Sequence, residues 1–176
     1  LSTTKGNIDT LAPKHPMPPE RAYLGTLAHI IKNYFGFTTE PIVLSNACVS
    51  GVLAISIAKR FIAQGTFDQV FIVGGDIVSN FILSGFNSFQ AMSSLPCKPY
   101  CKQRSGINIG EVAASVLVSK DQHNLAAESV EVLGEASCND ANHISGPSRT
   151  GEGLYRSILS AFKEAKVGPE DIDSIS

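Results

Sequence analysis

The sequence predicts an α/β fold, and three observations carry that reading. Two short, continuous apolar runs, PIVLSN at 41–46 and QVFIVGG at 69–75, have the length and composition of buried strands. Between them residues 49–64 are apolar on most faces, the pattern of a helix that lies inside a protein. Strands and helices then continue to alternate along the chain, which argues for α/β layers.

The elements follow in order. Residues 10–20, TLAPKHPMPPE, hold four prolines and read as a loop, because proline cannot occupy a helix interior. Residues 20–35 carry Ala22, Tyr23, Leu27, Ile30, Ile31 and Tyr34 at helical spacing. The strand at 41–46, the helix at 49–64 and the strand at 69–75 come next; a continuous apolar strand suits a sheet covered on both sides. Residues 80–94, apolar but broken by Gly85, predict a helix or lid segment. Two further strands are expected at 110–119 and 129–137, joined by a short polar turn. The stretch CNDANHISGPSRTGEG reads as a loop. A helix over 152–165 follows, with Thr150 as its cap, Glu152 in its first turn and Gly168 just past its end. The PEDID stretch starts another turn, and SIS at 174–176 opens a strand.

Composition limits the function classes. At 176 residues the chain suits one domain or part of a larger one, and a chain of this size buries about two-thirds of its extended surface. With 43% hydrophobic and 17% charged residues it is globular in composition and not disordered. A net charge of −2 with no basic block argues against a nucleic-acid partner. No apolar run approaches the roughly 20 residues of a membrane span, and no secretory leader opens the chain, so a cytoplasmic protein is expected. The four cysteines stand at 48, 97, 101 and 138; the spacing C-K-P-Y-C matches neither a zinc pair nor a C-x-x-C redox motif. No metal site and reduced thiols are the expectation.

Cys48 stands where the strand-like run ends and the apolar helix begins, in SNACVSG. The first N–H groups of a helix lack intrahelical partners, and the dipole adds partial positive charge there. A thiolate at that point gains about 0.3–2 kcal/mol from the dipole. Ala47, Ser50 and Gly51 leave room for a substrate, and the free N–H groups suit a developing oxyanion. Position alone leaves two readings: an acyl-accepting nucleophile, or a small buried hydrophobe that packs.

Three stretches resemble the β-ketoacyl-acyl carrier protein synthases of the thiolase superfamily. SNACVSG at 45–51 resembles the active-site stretch, with Cys48 at the nucleophile position. KPYCKQRSGINIGEVAASVLV at 98–118 matches at Pro99, Arg104, Gly106, Gly110 and Glu111, changes mildly at Tyr100 and Ile107, and departs at Cys101 and Val112. The stretch from Asn139 to Ser176 is similar to the family's lead into its first histidine motif, at Asp140, Ala141, His143, Pro147, the helix and the Pro-Glu-Asp-Ile-Asp turn.

The resemblance implies a thiolase-like helix–sheet–helix fold with a mixed sheet and a buried central helix, present as an incomplete copy. Residues 1–176 would be part of the synthase N-terminal domain, lacking the family's opening segment and C-terminal half. The implied reaction is a decarboxylative Claisen condensation of acyl and malonyl thioesters on acyl carrier protein. Cys48 would be the nucleophile, its backbone N–H half of the oxyanion hole. Phe86 and Phe89 would line the acyl tunnel, with plain core packing as the other reading. The two catalytic histidines would lie outside the chain. None of His15, His29, His123 and His143 is expected to replace them, and the chain alone is expected not to condense. No cofactor is implied beyond the phosphopantetheine of acyl carrier protein, which is the expected partner. The QVFIVGG strand would lie at a sheet edge and pair with its copy in a homodimer. Alternatives within the superfamily are a thiolase or coenzyme A-using synthase, or a non-catalytic chain-length partner subunit. A scaffold domain is the alternative outside it.

Overall fold

The computed structural model describes residues 1–123, 125–140 and 148–175. Its helices are α1 (Leu24–Phe35), α2 (Ser50–Ala63), α3 (Asn80–Ser88) and α4 (Glu152–Ala165), and its strands are β1 (Gln69–Asp76) and β2 (Val112–Ser119). Short 3₁₀ turns span Ile8–Leu11, Pro19–Ala22 and Pro169–Asp171. Two of these, and the chain between them, occupy the proline-rich stretch expected as loop. The chain forms two compact units: Leu1–Ile55 with Val70–Val118, and Ser56–Gln69 with Ser119–Ser176.

A mixed sheet organises the first unit. β1 and β2 pair antiparallel. On the other side of β1 the chain's first residues run parallel to it: the Ser2 N–H donates to the Val73 carbonyl at 2.8 Å, and the Gly75 N–H to the Ser2 carbonyl at 3.1 Å. Beyond them Leu44 joins in parallel, its N–H donating to the Leu1 carbonyl at 2.8 Å. The strand expected at 41–46 is therefore reduced to isolated bridges, and it lies at the margin of this set and not at its centre. The expectation that QVFIVGG forms an edge is also corrected. Ser2 bridges β1 at Gly74 on the side away from β2 and takes the Val73 carbonyl and the Gly75 N–H, so this end of β1 is not a free edge.

Asp76 ends β1 and fixes it to the chain start. Its Oδ1 accepts from the Thr3 hydroxyl at 2.9 Å and from the Thr4 N–H and hydroxyl, each at 2.8 Å. Burial pushes this carboxyl up, but the hydrogen bonds from Thr4, Thr3 and the Lys5 N–H outweigh it and hold it below the ordinary carboxylate value. Thr3 is almost fully buried, so losing the acceptor leaves its hydroxyl proton without a partner, while the oxygen keeps the Gly6 N–H. Asp76→Ala is expected to cost about 1–3 kcal/mol in urea denaturation. Because the folded value lies below the unfolded one of about 3.9, the carboxylate's contribution is complete above that pH and is lost as pH falls through the folded value. Wild-type stability should thus fall more steeply with acid than that of Asp76→Ala; parallel curves would contradict this role.

The buried apolar set is smaller than composition suggests. Among the described residues it is Ala22, Ala28, Ala54, Ala58, Ile62 and Ile72, while Tyr34, Phe35 and Phe71 stay exposed. α2 buries Ser50, Ala54, Ala58 and Ile62 along one stripe and Ser56 beside it, where its sequence suggested burial all round. Small side chains take the closest contacts, and larger aromatics stack beside one another: Tyr34 on Phe35, Phe35 on Phe37 and Phe37 on Phe71, with centroids 4.9–5.9 Å apart. α1 stops at Gly36, whose φ of 71° supplies the left-handed turn that ends a helix.

In the second unit the strand expected at 129–137 is absent. The backbone there binds side chains and not a neighbouring strand. The Leu133 carbonyl accepts from Lys59 Nζ at 3.0 Å, and the Glu135 N–H donates to Glu164 Oε2 at 2.8 Å. Lys59 also pairs with Glu164 at 2.5 Å, and Arg60 with Glu135 at 2.6 Å. The Lys59 ammonium is the main cause holding the Glu164 carboxyl below its usual range. α4 has the predicted bounds, but Gly151, not Thr150, is its N-cap, at φ 67° and with no side-chain cap. Thr150 instead donates its N–H to the Ser148 hydroxyl. At the other end Lys166 takes the left-handed position at φ 58°, and Gly168 is extended ahead of the Pro169–Asp171 turn. No strand forms at 174–175.

Candidate active site

The SNACVSG stretch folds into a tight turn ahead of α2. Ala47 has a positive φ of 46°, uncommon for a residue with a Cβ. Ser50 holds the turn: its hydroxyl accepts from the Asn46 N–H at 2.8 Å and donates to the Ala47 carbonyl at 2.6 Å. The Val49 and Ser50 N–H groups close onto the Asn46 and Ala47 carbonyls, each at 3.2 Å. Ser45 reaches across to the Thr4 carbonyl at 3.2 Å. Cys48 is thereby displayed, exposed and as a free thiol, two residues before the first residue of α2. It stands in the turn that leads into the helix and not in the helix's first turn. The positive φ at Ala47 and the Ser50 clamp fix the turn that carries Cys48.

Phe86 lies in the last turn of α3, half-buried, and Phe89 is its C-cap and exposed. No hydrogen bond or ring contact among the described residues ties either to the 45–51 turn. A hollow of about 210 Å³ in the first unit is lined by Leu27, Ile31, Val73, Asp76 and Ala113 among others, and none of its lining comes from 45–51.

The second motif builds the wall beside α3. Gly106, at φ 132°, packs directly on the Ala91 carbonyl. Ile107 pairs with the chain at 91–93. Asn108 binds both the Ser93 and Leu95 carbonyls at 3.2 Å and accepts from the Cys97 N–H at 2.7 Å. Arg104 donates to the Cys101 carbonyl at 3.1 Å, a contact that does not depend on the side chain at 101. Val112, the other departure, begins β2 with an exposed side chain and crowds nothing. Glu111 accepts from the Val78 N–H at 3.0 Å. Sequence reasoning missed Ser50, Asn108 and Asp9. Ser50 carried a local signal, a hydroxyl four residues past Asn46; the partners of Asp9 lie 71 and 72 residues away and left none.

His15 accepts from the Met17 N–H, His29 on α1 lies 3.8 Å from Glu40, and the His123 N–H donates to Asp121. His143 lies outside the described residues, as do Ala141 and Pro147. Among the described residues no three or more His, Cys, Asp or Glu side chains gather where they could hold a metal ion, and no helix is long and apolar enough to cross a membrane.

A mixed sheet and a strained turn that carries an exposed cysteine just ahead of a helix place this chain among α/β proteins with an accessible thiol at a helix approach. The model of the β-ketoacyl synthase N-terminal domain matches residues 5–124, and the chain belongs to that family. It is 36% identical over 142 residues to a 3-oxoacyl-(acyl-carrier-protein) synthase 2 of Rhizobium meliloti (strain 1021), covering 74% of this chain and 34% of the relative. A synthase of the same name from Staphylococcus aureus is 26% identical over 140 residues, with the same coverage. Among solved structures, a ketosynthase in complex with its chain length factor from Xenorhabdus doucetiae superimposes with a TM-score of 0.83 at 27% identity, covering 97% of this chain and 45% of that one. The chain thus spans about a third of the length of the curated relatives it matches.

Proposed function

We propose that the protein carrying this chain is a β-ketoacyl-acyl carrier protein synthase, and that residues 1–176 are part of its N-terminal domain. It lengthens an acyl chain by decarboxylative condensation with malonyl-carrier protein. The observation that carries the reading is the exposed Cys48 thiol, displayed by the strained Ala47 turn within SNACVSG. Cys48 attacks the acyl thioester carbonyl and expels the phosphopantetheine thiol. Malonyl-carrier protein then loses carbon dioxide, and its carbanion attacks the Cys48 thioester and expels the cysteine thiolate. The Cys48 N–H receives charge on the acyl oxygen. Phe86 and Phe89 line the acyl chain, each buried CH₂ of which gains about 0.8 kcal/mol.

Acyl carrier protein is the partner and the carrier of the phosphopantetheine, no further cofactor takes part, and the site of action is the cytoplasm. A homodimer belongs to this reading too. The relatives named as acyl-carrier-protein synthases support the carrier-protein branch over one using coenzyme A.

The natural-length protein, given acyl- and malonyl-carrier protein, is expected to release carbon dioxide and a β-ketoacyl-carrier protein. Coenzyme A thioesters should serve at least about 10-fold less well. Turnover on coenzyme A thioesters alone would move the protein to the thiolase branch. The absence of product from either carrier would count for the chain-length partner reading.

A further inference from the structure

We infer that Asp9 is a positioning residue that sets where α3 stands, and thereby which acyl chain lengths the site accepts. This rests on the reading that Phe86 and Phe89 line the acyl tunnel. Asp9 lies in the 3₁₀ turn Ile8–Leu11. Its carboxylate accepts from two donors at the start of α3, the Asn80 N–H at 2.7 Å and the Phe81 N–H at 3.3 Å. The Ser79 hydroxyl takes the Ile82 N–H at 3.2 Å, and Glu111 takes the Val78 N–H just upstream. The first N–H groups of a helix have no intrahelical partner, and here a carboxylate brought from far along the chain serves two of them at the dipole's positive end.

Within residues 1–176 none of the residues of α3 is buried, and Phe81 and Phe89 are 55% and 56% exposed. The turn carrying Asp9 packs against α3. The far end is tied through the continuing chain: the Ala91 N–H donates to the Phe86 carbonyl at 3.1 Å, and the Ile107 N–H to the Ala91 carbonyl at 2.9 Å. α3 is held by polar contacts at both ends. Removing the Asp9 carboxylate frees the Asn80 and Phe81 N–H groups and loosens the start of the helix, while Ser79 and Glu111 keep their bonds, and the phenylalanines shift with it.

The test uses the natural-length protein with Asp9→Ala, with Asp9→Asn as the conservative variant, and with Phe86→Ala and Phe89→Ala in parallel. Two readouts are taken: amide hydrogen exchange over 79–83, and kcat/KM across a series of acyl-carrier proteins of increasing chain length. Asp9→Ala should speed exchange at Asn80 and Phe81 about 10-fold or more and flatten the preference between neighbouring chain lengths about 10-fold. It should raise KM for the acyl substrate while leaving that for malonyl-carrier protein in place. Asp9→Asn keeps one acceptor and should fall between, and it carries the test if Asp9→Ala does not fold. Unchanged exchange overturns the inference directly. Faster exchange with an unchanged chain-length profile also overturns it; if the phenylalanine variants shift the profile, the tunnel reading survives, and if they do not, it falls as well.

Discussion

Cys48→Ala is expected to lower condensation by the natural-length protein on the order of 10³-fold or more, with stability within about 0.5 kcal/mol of wild type. The two effects separate because of where the residue stands. Within residues 1–176 Cys48 is exposed, and no hydrogen bond among the described residues uses its sulfur, so little of this chain's structure depends on it. The turn is held by Ser50, Asn46 and Ala47, all of which remain. The reaction, in contrast, has no other covalent acceptor at this turn. Cys97→Ala, Cys101→Ala and Cys138→Ala should each keep most of the activity. Loss of activity with equal loss of folded protein in Cys48→Ala would make Cys48 a packing residue after all.

Gly106→Ala is expected to destabilise the protein by about 3–5 kcal/mol, read as a lower urea midpoint at constant m-value. Two costs combine. At φ 132° the backbone occupies a region that residues with a Cβ rarely adopt. An added Cβ would also stand 2.5 Å from the Ala91 carbonyl oxygen and 2.9 Å from the Met92 carbonyl carbon, which are backbone atoms with no rotamer to yield. The strain falls where 91–93 pairs with Ile107, the tie at the far end of α3, so residual folded protein should also lose acyl selectivity. Gly51→Ala meets nothing within 4 Å at its Cβ and should cost far less, which makes it the control.

Much of this was legible in the sequence where the signal was local. α2, β1 and α4 announced themselves by periodicity or by an apolar run, and the bounds of α4 coincide with the reading. Cys48 stood out because small polar residues interrupt two apolar segments. What sequence could not show depends on partners distant in the chain. The 129–137 segment has the composition of a strand, but its Leu133 carbonyl goes to Lys59 and its Glu135 N–H to Glu164. β1 reads like an edge until Ser2 is seen beside it. The capping of α4 failed locally because Thr150 turns to Ser148 and leaves the cap to Gly151. Asp9 and Asn108 are ordinary loop residues in sequence, and their roles exist only once the loops have met.

The most direct measurement is peptide-mapped mass spectrometry of the natural-length protein after incubation with an acyl-carrier protein and no malonyl substrate. The account predicts one acyl group, carried as a thioester on the peptide that contains Cys48, removed by neutral hydroxylamine and lost on adding malonyl-carrier protein as product forms. An acyl group on Cys97, Cys101 or Cys138 instead, or β-ketoacyl product formed with Cys48 unmodified and replaceable, would contradict it.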